Sequence, residues 1–343
     1  MKLRRILFLI FSALLAGFLI VLLIHLGRVN LHVTVQMLGR VSVINFVELV
    51  LLNGLLIGIS TVRWRSIDAV LRHPSDAVPS GVTAYFVTST GMALGLILPV
   101  QLGMTAARTI GTRAYGRTLK RGTGGTVFEQ SFDLLIVVIL AGASAITWFL
   151  HGGGWMWLAC AVPLLALALL VVKPSVRFVQ LIARRVPDLT ALPKPAWLPR
   201  RPYRWLVRIL RGLSDIQHSG LLSVRLARRL LALSILRFSV VVLMGAQTAR
   251  AIAARIPLWH MAAMVPFGTV ANLLGITPGG IGVNELTSAT VLSMFGTPLS
   301  LASQWALANR VLVILSCCAV VAVALGLLKI GKASDRVGTK ASG

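Results

Sequence analysis

Apolar runs about as long as a bilayer is thick recur along this chain, at 6–26 and at about 42–62, 81–104, 126–150, 155–172, 230–249, 257–276, 279–296 and 301–328. A membrane-spanning helix needs ~20 such residues. Backbone in hydrocarbon must satisfy its own hydrogen bonds, so the helix is the element these runs can form. Hydrophobic residues make up 57% of the 343 and charged residues 13%; soluble domains carry roughly 25% charged. The sequence therefore excludes a soluble globular protein and predicts an all-α, polytopic integral membrane protein. The run at 6–26, behind Lys2, Arg4 and Arg5, begins as a signal peptide does. It is too long for one and lacks a small-residue cleavage site, so it reads as an anchoring span.

The charges set the orientation. Lys and Arg number 34 against nine Asp and Glu, a net charge of +25. That balance could suit nucleic acid, but the basic residues sit between spans, where anionic lipid headgroups are the natural partner. Cytoplasmic loops are enriched in Lys and Arg, which places the N-terminus and Arg63, Arg65 and Arg72 inside. A full crossing at 81–104 would then put Arg108, Arg113, Arg117, Lys120 and Arg121 on the wrong side. The conflict disappears if the segment around 81–118 enters from the cytoplasm, turns at Pro99 and returns as a re-entrant hairpin. Runs 257–276 and 279–296 form a second hairpin, entering from outside. The result is about six full spans, two oppositely oriented hairpins and cytoplasmic termini, with 28 basic residues inside, four outside, and Arg237 and Arg310 within spans.

An internal repeat agrees. Leu98-Pro99-Val100-Gln101-Leu102-Gly103 aligns with Thr277-Pro278-Gly279-Gly280-Ile281-Gly282 at an offset of 179, each followed by a short helix and a longer span. The repeat units are 81–150 and 257–328 of a single transmembrane domain. Inverted repeats with Gly/Pro-broken helices are an architecture in which secondary transporters build a midplane site. Between the halves, 174–229 reads as a basic cytoplasmic loop. Pro187, Pro193, Pro195, Pro199 and Pro202 break it, and its amphipathic helix sets Trp205, Leu206, Ile209, Leu210 and Leu213 opposite Arg204, Arg208, Arg211 and Asp215. Such a helix suits an anionic lipid surface; a solvated linker fits the same pattern.

Acidic residues at membrane depth are costly, at least ~2.5 kcal/mol, and are functional candidates by default. Glu285 is the foremost, at the start of the second hairpin's returning helix after the turn of Pro278, Gly279, Gly280 and Gly282 with Asn284. That helix N-terminus suits a lipid phosphate, and Glu285 can face a cation, take up a proton, cap its helix or neutralise Arg310. Glu129 and Asp133 lie four apart on one helical face, as a cation or proton site or as partners of the basic loop through Arg108 or Arg121. Arg63-Trp64-Arg65 reads as an interfacial anchor, and Glu48 has no motif around it. The three cysteines give no disulfide framework and the six histidines no metal-ligand spacing, so no metal or cofactor is expected.

The run from Thr277 to Glu285, with Gly296 and Arg310, closely resembles the C-terminal signature of the lysylphosphatidylglycerol synthase transmembrane-region family. Arg63-Trp64 matches the Arg-Trp pair that ends the family's second span. In the first half Pro99, Gly103, Glu129 and Asp133 match. Val100, Gln101 and Met104 replace the family's Gly, Arg and Glu, Gln130 replaces an arginine, and Arg108 sits about one position late. The resemblance spans essentially the whole chain. It implies a bacterial inner-membrane flippase-like transporter rather than an enzyme, because in the bifunctional synthases aminoacyl transfer belongs to a separate soluble domain, and only about fifteen residues follow Leu328. The expected substrate is a phosphate-bearing lipid, with or without an aminoacyl group, bound near Pro99, Gly103, Arg108, Pro278, Gly279, Gly280, Gly282, Asn284, Glu285 and Arg310. Glu129, Asp133 and Glu285 would couple an ion or proton. The alternative is an accessory protein presenting a lipid-linked precursor to a glycosyltransferase; a homo-oligomer or a lipid-modifying partner enzyme stays open.

Overall fold

The fold is all-α, as the apolar runs require. The computed structural model describes residues 2–71, 78–98, 100–113, 119–191, 221, 223–274 and 277–340, and among these it contains eleven α-helices and no strand. In chain order they are α1 (Lys2–Leu26), α2 (Leu31–Gly39), α3 (Val43–Leu71), α4 (Gly81–Leu94), α5 (Val100–Arg113), α6 (Leu119–Phe149), α7 (Gly154–Ala191), α8 (Val224–Ala251), α9 (Leu258–Leu274), α10 (Val283–Met294) and α11 (Leu299–Lys340). Pro99 and the proposed amphipathic helix at 205–215 lie outside the described residues.

Five helices, α3, α6, α7, α8 and α11, are long and apolar enough to cross a bilayer. Helices α1 and α2 reach that length and apolarity together, bent by 95° at the break between Leu26 and Leu31, and counted as one span they bring the number to six. The break has local causes. Arg28 has a left-handed φ of 46°, and Asn30 caps α2 by accepting from the His32 and Val33 amides. Five to six candidate spans stand beside the expectation of about six.

The two segments set aside from the span count each form a pair of short helices. In the first, α4 and α5 have 14 residues each, ~21 Å at 1.5 Å per residue, against a hydrocarbon core of ~30 Å. In the second, α9 has 17 residues with Pro266 inside it, and α10 has 12. Each pair packs against itself and against the span that follows, α6 or α11. Gly103 lets α5 approach α4, since a Cβ there would lie 2.5 Å from the Gly95 nitrogen. Ser80 caps α4 by accepting from the Thr83 amide at 3.1 Å.

The bundle is organised around α3, α8 and α11. Asn53 on α3 donates to Ser316 of α11 at 3.0 Å, and Trp305 of α11 donates its indole N–H to Gly245 O of α8 at 3.1 Å. Buried Leu231, Met261, Leu292, Trp305 and Leu312 belong to one continuous core. The periphery is apolar too: Phe11, Phe18, Leu170 and Phe178 on α1 and α7 are all more than half exposed. Continuous apolar surface on that scale marks an interaction face, here the face toward lipid acyl chains. Helix α7 continues through Pro187 to Ala191, so the chain is not interrupted at Pro187, the first of the linker prolines.

Candidate functional site

The apolar exterior encloses a polar interior. A cavity of about 270 Å³ lies between the two short-helix pairs. From the first half it is lined by Leu96 at the tip of the α4/α5 pair and by Arg108, Glu129 and Asp133; from the second, by Asn272, Gly279, Asn284, Ser288, Asn309 and Arg310. Arg237, Phe238 and Met244 of α8 complete the wall. Helices α1, α2 and α7 contribute no lining residue among those described.

One end of the cavity is an ion-pair network. Arg63 is fully buried. Its guanidinium lies 2.9 Å from Asp133 Oδ1 and 3.6 Å from Glu129 Oε1, and it donates to the Glu129 backbone carbonyl at 2.9 Å. Arg108 pairs with Glu129 Oε2 at 2.5 Å, donates to Ser60 O at 3.1 Å and sits 5.4 Å over the Trp64 ring. The α-helical spacing that puts Glu129 and Asp133 on one face of α6 thus presents both carboxylates to arginines of α3 and α5. Arg237 approaches Asp133 Oδ2 at 3.5 Å.

The other end is built on the second turn. Gly279 and Gly280 form a single 3-10 turn after Thr277, at left-handed φ of 56° and 71°, and Gly282 follows at 82°. Each of the three positions excludes a side chain. A Cβ on Gly279 would meet Leu96 O of the first hairpin and come within 3.0 Å of Arg310 Nη2; on Gly280 it would meet Asn272 Oδ1; on Gly282 it would lie 2.7 Å from Leu19 Cβ of α1. The tips of the two hairpins therefore touch at Gly279 and Leu96. Glu285, three residues into the returning helix, accepts from the Gly282 amide at 2.6 Å and pairs with Arg310 Nε at 3.5 Å, while Arg310 Nη2 donates to Gly279 O at 2.7 Å.

The two ends share a plan with the charges exchanged. In the first half the arginine (Arg108) is on the hairpin's returning helix and the acid (Glu129) on the following span; in the second the acid (Glu285) is on the returning helix and the arginine (Arg310) on the following span.

Of the residues singled out from sequence, Arg108, Glu129, Asp133, Gly279, Asn284 and Arg310 line the cavity together. Glu285 sits behind it, 2% exposed. Gly103, Gly280 and Gly282 shape the hairpins rather than face the cavity, Pro278 opens the turn, and Pro99 lies outside the described residues. The interfacial-anchor reading of Arg63-Trp64 is overturned: both are buried, 0% and 4% exposed, inside the network. Arg63 and Arg108 therefore drop out of the inside loop charges, which leaves the orientation bias large. Sequence reasoning also missed Arg237, Asn309 and Ser288. Arg237 alone carried a signal, as a charge in the middle of an apolar run. Glu48 has a partner after all, since Gln247 of α8 donates to its carboxylate.

A family model described as the lysylphosphatidylglycerol synthase TM region matches residues 5–327. No curated protein and no solved structure matches the chain.

Proposed function

The chain belongs to the lysylphosphatidylglycerol synthase transmembrane-region family, and we propose on that premise that it moves a phosphate-bearing lipid between leaflets as a transporter, without catalysing a covalent step. The observation that carries this reading is the cavity: both hairpins close on it, and it holds charged groups at the depth of an apolar bundle. Charged side chains there are costly unless they pair or serve a substrate. A headgroup enters between the hairpin tips while its acyl chains stay among the exposed apolar residues of the bundle's flank. Arg108 and Arg310 take over the phosphate as the hairpins move and Glu129 and Glu285 release them, and the Gly279 turn brings backbone within reach of it. Movement of the two hairpins against each other, parting and closing the Gly279–Leu96 contact, gives alternating access. Glu129, Asp133 and Glu285 exchange partners or protons as it does so. Both termini face the cytoplasm of a bacterial inner membrane in this arrangement, and anionic phospholipids are the partners of its basic loops.

The test is leaflet exchange of labelled phospholipids in liposomes carrying the purified protein, with Glu285→Gln and Arg310→Ala beside the wild type. Exchange by the wild type and its loss in both variants is expected. Exchange that persists in both variants removes these residues from the site. If no lipid of a broad panel moves, an accessory role, presenting a lipid-linked precursor to a partner glycosyltransferase, replaces transport.

A further inference from the structure

The charge balance of the cavity restricts what it can hold. Four arginines (Arg63, Arg108, Arg237, Arg310) meet three carboxylates (Glu129, Asp133, Glu285) across the two networks. Every carboxylate is taken. Glu129 is held by Arg108, Asp133 by Arg63 at 2.9 Å, and Glu285 by Arg310 and the Gly282 amide. The leftover charge falls on Arg237. Its one ion pair among the described residues is the 3.5 Å approach to an Asp133 that Arg63 already holds more closely. Its side chain is 23% exposed and lines the cavity, so an anion can reach it. A part-buried guanidinium with spare donors is suited to phosphate, which it grips with paired N–H groups.

The wall contributed by α10 is polar and neutral. Asn284 and Ser288 are four apart, so they share a face of that helix. Both line the cavity, and neither side chain has a hydrogen bond among those that the described residues make. Free amide and hydroxyl groups recognise hydroxyls or amides, and they give nothing to an ammonium group that a carboxylate would not give better.

We propose that the cavity selects a lipid whose headgroup is an anionic phosphate ester carrying neutral hydroxyl or amide groups, with Arg237 receiving the phosphate and Asn284 and Ser288 the neutral end, and that it discriminates against an aminoacylated, net-cationic headgroup. This rests on the cavity being the lipid site, but it is tested by binding, independently of transport.

Binding of phosphatidylglycerol, lysyl-phosphatidylglycerol and phosphatidic acid to the detergent-purified protein is compared by native mass spectrometry and by thermal shift. The wild type is expected to bind phosphatidylglycerol at least tenfold more tightly than the lysyl-lipid. Arg237→Gln loses that preference and Arg237→Lys keeps part of it. Asn284→Ala with Ser288→Ala weakens phosphatidylglycerol severalfold while sparing phosphatidic acid, which has no headgroup beyond the phosphate. Equal or tighter binding of the lysyl-lipid by the wild type overturns the inference, as does an unchanged preference in a folded Arg237→Gln protein. If that variant does not fold, the wild-type preference and the Asn284/Ser288 pair decide. A protein that shows the binding preference but moves no lipid refutes transport and leaves the inference standing.

Discussion

Replacing Arg63 by Met tests whether the paired arginines hold the bundle together. Arg63 is 0% exposed and touches Asp133, the Glu129 carboxylate and the Glu129 backbone. Removing one partner of a buried ion pair costs about 3–5 kcal/mol, because the other charge stays behind. The lower end applies here. Glu129 keeps Arg108, and Asp133, with its side chain 20% exposed, keeps Arg237. A loss of about 3 kcal/mol is roughly a hundredfold in the folded-to-unfolded ratio, at 1.4 kcal/mol per tenfold. Unfolding of the purified protein by SDS titration in mixed micelles reads it. Adding Asp133→Asn should return a large part of the loss, because the double variant leaves no stranded carboxylate. Arg63→Lys separates this from simple anchoring. An ammonium is a point charge and cannot bridge Asp133 and the Glu129 carbonyl as the planar guanidinium does, so Lys should cost about 1–2 kcal/mol. A Met variant as stable as wild type, or a Lys variant that fully replaces Arg, would refute the reasoning.

At the second hairpin, Arg310→Ala should destabilise more than Glu285→Gln, since it strands a carboxylate that is 2% exposed, whereas the reverse change leaves a cavity-lining arginine still donating to Gly279 O; equal unfolding midpoints would contradict this. Gly279→Ala meets a φ of 56° and the Leu96 carbonyl, and a left-handed non-glycine residue alone costs ~1–2 kcal/mol. Gly142→Ala, in α6 with nothing within 4 Å of the new methyl, should instead be neutral or stabilising by ~0.5–1 kcal/mol. The same unfolding assay separates the two. Exchanging the first-half pair, Arg108→Glu with Glu129→Arg, should leave a better-folded protein than either reversal alone, as judged by monodispersity in detergent, because each single reversal sets like charges together in the bundle.

The pair of short helices at 81–113 was legible because two rules collided. Apolar length called for a crossing at 81–104, and the basic residues that follow forbade one; the chain has two 14-residue helices there in place of one long span. Arg63 was not legible, because a cation at the end of an apolar run can turn outward to headgroups or inward to a partner. Only Glu129 and Asp133, about 70 residues away and brought opposite it, decide between the two. The Pro/Gly correspondence between the two halves does not extend to the roles of the residues. Gly103 sits inside α5 and serves close packing, while its aligned partner Gly282 caps α10 at a left-handed φ of 82°. The ion pairs hide the relation further. What both halves preserve is a bond between returning helix and following span, and a bond between opposite charges survives when the two residues trade places. A residue-by-residue alignment scores Arg108 against the neighbourhood of Glu285, and Glu129 against that of Arg310, as mismatches, although physically they are the same clasp. Two halves of a membrane bundle can thus differ in sequence while sharing the interaction that fastens each short-helix pair to its span.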